Sequence, residues 1–119
     1  MKRDLELIRS ILMWAEQNCD GKRDITAPRL TITGYTVNEI EYQLRLLRDE
    51  NFITYEGRKL KPVTRWVHFT RLTSQGNAFL QTLQDDSIWN KITKKLKDEA
   101  LTTACETAIS FAKNIILNG

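Results

Sequence analysis

The fifteen residues from Gly57 to Arg71 hold the densest chemistry in the chain: Arg58, Lys59, Lys61, Arg65 and Arg71, with no acid among them. The other 104 residues carry 13 basic and 15 acidic groups, so the whole net charge of +3 resides in this one segment. Guanidinium and ammonium groups at that density suit phosphate, because each one placed on a backbone phosphate releases condensed counterions. Basic patches of this kind are the usual electrostatic footprint of nucleic-acid binding. The competing reading is an exposed hairpin that uses charge to remain soluble and to blunt edge pairing.

Groups able to make or break covalent bonds are sparse. His68 is the single histidine, and Cys19 and Cys105 share no metal-ligand spacing with it. Neither a Gly-rich phosphate loop nor a nucleophile elbow occurs. Asp85-Asp86 beside Ser87 reads as a helix cap before it reads as an acid-base pair. No enzymatic activity, cofactor or metal is therefore expected. Two distant cysteines do not form a disulfide framework, which makes the reducing cytosol the expected compartment. No apolar run approaches the ~20 residues of a membrane span. Asp4, Glu6 and Arg9 interrupt any signal-peptide core after Met1-Lys2-Arg3, so no membrane partner is expected.

A length of 119 residues with 41% hydrophobic and 28% charged content suits one globular domain. Leu5, Ile8, Leu12 and Ala15, widened by Leu7, Ile11 and Trp14, predict a core helix from Asp4 to Asn18 that ends near Gly21. Pro28 breaks the next stretch, and alternation at Leu30 and Ile32 predicts a short strand there. Thr36-Val37-Asn38-Glu39 is a capping box that opens a helix to about Glu50, with Val37, Ile40, Leu44 and Leu47 inward. Its outward face is then Asn38, Glu41, Tyr42, Arg45, Arg48 and Asp49. Residues 52–56 and 66–72 have strand composition, and the nine residues between them are too many for a tight turn. Thr73 is placed to cap a helix over Ser74–Leu83, with Gly76 allowing close approach to the preceding hairpin. Ile88, Trp89, Ile92 and Leu96 line a further helix whose other face is Lys91, Lys94, Lys95 and Lys97, most simply a solvated row. A second capping box at Thr103-Ala104-Cys105-Glu106 opens an apolar final helix.

Helix, strand, helix, strand, long loop, strand, helix is the order of a winged helix, in which a helix enters a groove and the strand-loop-strand wing touches the backbone. The expected fold is thus α+β, mainly α: a winged helix-turn-helix with two additional C-terminal helices. The core covers 1–84, with the wing at about 52–72. Residues 85–119 form a helical extension that packs on the core or makes a dimer seam. The usual middle helix has little room between Gly21 and Gly34 and is expected to shrink to a turn. Asn38, Tyr42, Arg45 and Arg48 would approach the groove, while Arg58, Lys59, Lys61 and Arg65 position the backbone. Residues 36–50 carry two arginines against four acids, a poor balance for a helix that enters a groove unaided.

Several blocks in order carry a family resemblance: Met1-Lys2-Arg3-Asp4-Leu5-Glu6-Leu7-Ile8-Arg9-Ser10-Ile11-Leu12, then Gly34-Tyr35-Thr36 with Glu39-Ile40, Tyr42, Leu44 and Leu46-Leu47. Arg71-Leu72-Thr73 with Gly76 and Phe79-Leu80 follows, and then Asp85-Asp86, Trp89-Asn90-Lys91 and Lys95-Leu96-Lys97. Over about residues 1 to 97 the chain resembles the phage- and prophage-associated proteins called domain of unknown function 2513. The resemblance implies a small winged-helix-like protein of bacteria or their phages, and it implies no activity.

These readings converge on a regulatory protein with double-stranded DNA as partner. The alternative is a protein-interaction module, such as a phage-encoded modulator of a host protein, that uses the mixed-charge helix as its surface. A homodimer through residues 104–117 is a further expectation, since Ala104, Ala108 and Ala112 permit close approach.

Overall fold

In a computed structural model, residues 2–61, 64–95 and 110 are described. The apolar seam expected over 104–117 lies outside the described residues, Ser110 aside, as do Pro62, Val63, Leu96 and Lys97. The architecture is mainly helical with a small antiparallel sheet: α1 (Leu5–Asn18), a 3-10 turn at Ala27–Arg29, α2 (Val37–Asp49), β1 (Ile53–Thr54), β2 (Arg71–Leu72), α3 (Ser74–Gln84) and α4 (Asp86–Lys95).

Local chemistry fixes the helix ends. Asp4 caps α1 by accepting from the Leu7 amide at 3.1 Å. The capping box at Thr36 forms in full, with the Thr36 hydroxyl accepting from the Glu39 amide and Glu39 accepting from the Thr36 amide. Helix α2 stops in a Schellman-type turn: Asn51 adopts a left-handed φ of 61°, and the Phe52 amide donates back to the Leu47 carbonyl at 2.9 Å. That turn delivers Phe52 to the core and Ile53 to the sheet. Thr73 caps α3 through the Gly76 amide and donates its own hydroxyl to the Asn51 carbonyl at 2.6 Å, which binds the two junctions together. Asp85 accepts from the Ser87 hydroxyl and amide and from the Ile88 amide, and these bonds hold its carboxyl below the usual aspartate range.

Leu7, Ile8, Ile11, Leu12 and Ala15 of α1 are buried at the centre of one core. Ile40, Leu44 and Leu47 of α2, Phe79, Leu80 and Leu83 of α3, and Phe52 and Phe69 close it. Ile88 extends it into the first turn of α4. Arg9 clasps that junction, donating to the Leu83 carbonyl at 2.7 Å and to Asp86 at 3.0 Å while its guanidinium lies 4.9 Å from the Trp89 ring.

Three local expectations need correction. The predicted strands 52–56 and 66–72 reduce to two paired residues each, Ile53 with Leu72 and Thr54 with Arg71. Next to these pairs the Thr70 amide donates to the Thr54 carbonyl at 2.8 Å, and the buried Thr70 hydroxyl accepts from the Glu56 amide. The strand expected at Leu30 and Ile32 is absent there, and its place is taken upstream by a single bridge from Ile25 to Phe69. Between Gly21 and Gly34, where the sequence left little room for a helix, a 3-10 turn forms and places Pro28 in its first positions, where its missing N–H costs nothing. Finally, Val37 is 39% exposed rather than inward.

Candidate nucleic-acid interface

Helix α2 and the long β1–β2 loop hold all eight expected contact residues. Asn38, Arg45, Arg48, Arg58, Lys59, Lys61 and Arg65 are exposed, and Tyr42 is half-buried. Asn38 and Arg48 are ten residues apart on α2, about 15 Å along the axis, and Arg48 lines a hollow together with residues of the loop.

Glu41 does not face outward. It is 6% exposed, and both its oxygens accept from the Val67 amide, at 3.2 and 3.1 Å. Arg45 donates to the same carboxylate at 3.0 Å. The helix therefore uses this acid to hold the root of the loop, and the arginine expected to read a groove is engaged with it. Arg48 in turn stands 3.4 Å from Asp49. Gln43, which sequence reasoning passed over, is buried and anchors the N-terminus: it accepts from the Asp4 amide at 3.1 Å and donates to the Lys2 carbonyl at 2.8 Å. At the opposite end of α2, burial and then the carboxylates of Asp4, Glu6 and Glu39 push the Tyr35 hydroxyl above its ordinary value.

The loop is arranged differently. Arg71 pairs with Glu56, and the Arg65 guanidinium lies 4.6 Å from the Trp66 ring centroid. Among the described residues, no ion pair engages Arg58, Lys59 or Lys61. Tyr55 stiffens this segment by donating its hydroxyl to the Arg58 carbonyl at 2.6 Å. Alternation along Trp66-Val67-His68-Phe69 buries Val67 and Phe69 and leaves Trp66 and His68 half-buried on the other side. His68 Nδ1 meets both Asp24 oxygens, at 2.9 and 2.7 Å, a pairing across 44 residues that no local motif announces.

Nothing in this arrangement assembles a nucleophile with a base. Among the described residues, no group of three or more His, Cys, Asp or Glu side chains could hold a metal ion. Burial, reinforced by Asp20, raises the Cys19 thiol to about 11, so that thiol is inert near neutrality. No helix among the described residues is long and apolar enough to cross a membrane.

The described residues thus define a small, mainly helical domain with a two-stranded sheet that carries a cationic loop beside a helix of mixed charge. The chain belongs to the family described as "Hypothetical protein (DUF2513)", whose model matches residues 2–102. It is also similar to an uncharacterized protein of Haemophilus influenzae, 26% identical over 117 residues that span 98% of this chain and 96% of that one. No solved structure matches.

Proposed function

We propose that the chain is a winged-helix protein of phage or prophage type that binds duplex DNA in the cytoplasm, in a regulatory and non-catalytic role. The element order supports the fold: α1, the bridge at Ile25, the 3-10 turn, α2, β1, the loop and β2 follow a winged helix step by step, with the turn in place of its middle helix. The phage setting rests on the family resemblance alone. One observation carries the binding reading: Arg58, Lys59 and Lys61 project from the loop without a carboxylate partner among the described residues, whereas Arg45 and Arg48 of α2 are both paired with acids. A cation that keeps its charge uncompensated in the unbound protein is the one that gains most from a phosphate.

A second reading, a protein-interaction module such as a modulator of a host protein, is favoured by the internal neutralisation of α2 and by the exposure of Val37. Binding to a random-sequence duplex between about 50 and 200 mM salt separates the two. The DNA reading expects affinity to fall steeply with salt. Replacing Arg58, Lys59 and Lys61 by alanine should flatten the logarithmic slope by about 2.7, or about 0.9 for each phosphate that is no longer neutralised. No binding at the lowest salt, or an unchanged slope in the triple variant, would decide for the second reading.

A further inference from the structure

A hollow of about 290 Å³ lies between the end of α2 and the root of the β1–β2 loop, lined by Arg48, Asn51, Tyr55, Leu60, Trp66 and His68 among others. We infer that it receives one unpaired nucleobase of the bound nucleic acid. This rests on the proposed nucleic-acid role and adds a preference within it: a duplex that offers an extruded or unpaired base is favoured over a perfect one.

The walls are aromatic and held in place. The Tyr55 ring is fixed by its bond to the Arg58 carbonyl, meets His68 edge to face at a centroid distance of 6.0 Å, and lies so close over Gly57 that a Cβ there would collide with it. Trp66 has the Arg65 guanidinium over one face of its ring, 4.6 Å from the centroid, which leaves the opposite face for stacking. Tyr55, Trp66 and His68 are each partly buried and together line the cavity, Trp66 resting in part on the core. Base-on-ring stacking is the interaction such walls offer, and it tolerates any base because every base has a π-face.

The polar groups suit a base edge. His68 is held through Nδ1 by Asp24, which leaves its other ring nitrogen, Nε2, with no partner among the described residues and free to hydrogen-bond a base edge. Arg48 and Asn51 supply donors on the same walls. The volume stands at the lower end of small-molecule sites, enough for one ring system and too little for a large cofactor. Tyr55 and Trp66 also flank the segment that carries Arg58, Lys59 and Lys61, so phosphates on either side of an inserted base would meet those cations. In an intact duplex every base is stacked and paired, and a base reaches such a pocket only after extrusion, which costs least where it already lacks a partner.

The test compares one duplex with the same duplex carrying a single unpaired adenosine, by titration with the intact protein. Wild type should bind the bulged duplex about 5- to 150-fold more tightly, the range that one stacked base supplies. Tyr55→Ala should bring that ratio to about one, whereas Tyr55→Phe, which keeps the ring, should retain it. With 2-aminopurine as the unpaired base, wild type should quench its emission on binding, and this arm needs no variant to fold. Good binding of both duplexes with a ratio of one, a ratio that survives Tyr55→Ala, or an unquenched probe would overturn the pocket and leave the duplex reading standing. Binding of neither duplex would remove both.

Discussion

Glu41 offers the sharpest check on how this structure holds its loop. At 6% exposure, both carboxylate oxygens face the Val67 amide, and the Arg45 side chain that completes the group is 55% exposed. Glu41→Ala strands a buried N–H, which costs about 1–3 kcal/mol. Breaking the ion pair adds less than about 1 kcal/mol, because Arg45 is well solvated. The expected loss is therefore about 2–3 kcal/mol, which for a domain of this size lowers the melting temperature by roughly 8–12 °C. Glu41→Gln keeps a carbonyl oxygen for Val67 and gives up only the charge-assisted part, about 1 kcal/mol or roughly 4 °C. Urea and thermal melts followed by circular dichroism measure both. A double-mutant cycle with Arg45→Ala should return a coupling under about 1 kcal/mol. Removing the acid also releases Arg45, so Glu41→Gln should bind duplex DNA more tightly even as it melts earlier. Should Glu41→Ala melt within about 0.5 kcal/mol of wild type, or match Glu41→Gln, the buried acceptor is not what secures the loop.

Two further outcomes follow from single sites. Gly76→Ala should destabilise by about 1–3 kcal/mol, because a Cβ there collides with the Phe52 carbonyl oxygen, which is itself pinned by the Thr73 amide at 3.0 Å. The sign is diagnostic in a thermal melt, since the same change at an open helix position would stabilise by up to about 1 kcal/mol. In a Cys105→Ser background, Cys19 should react with disulfide reagents about ten- to a hundredfold more slowly at pH 8 than an ordinary thiol of pKa 9.0, because burial raises its own to about 11 and the greater nucleophilicity of the more basic thiolate offsets only part of that loss. Only the thiolate attacks, so the rate should climb about tenfold per pH unit until it nears that value, and a plateau below about pH 10 would contradict the burial assigned to it.

What the sequence disclosed was what neighbours in the chain decide. The capping box at Thr36, the cap at Thr73, the inward row of Ile40, Leu44 and Leu47 and the helical stripe of α1 are all local patterns, and each is found in the structure. The close approach at Gly76 was legible for the same reason, because a glycine just inside a capped helix has few other uses. Side-chain direction was not legible at Val37 and Glu41. Helical periodicity alone puts Val37 inward and Glu41 outward, but the loop root at Val67 lies against one flank of α2 and covers the acid while the valine stays open. The short strands had the same origin: β-rich composition at 66–72 is satisfied by two different partners, Ile25 for Phe69 and β1 for Arg71–Leu72. Asp24 meeting His68 and Gln43 meeting the N-terminus are long-range pairings with no sequence signature.

The distribution of partners among the charged residues bears on how DNA would be bound. The two arginines of α2 are each engaged by a carboxylate of the same helix. Direct reading of base edges by this helix would have to break those pairs or rely on Asn38 and Tyr42. The cations without such partners are on the loop, and contacts from a loop to phosphate fix position without carrying sequence. On the proposed reading, discrimination must therefore come from something other than a base-edge code on α2. The aromatic hollow beside the same loop supplies it in the form of DNA shape: a site where the duplex is bulged, frayed or easily opened lowers the cost of placing a base against Tyr55 and Trp66, whatever that base is.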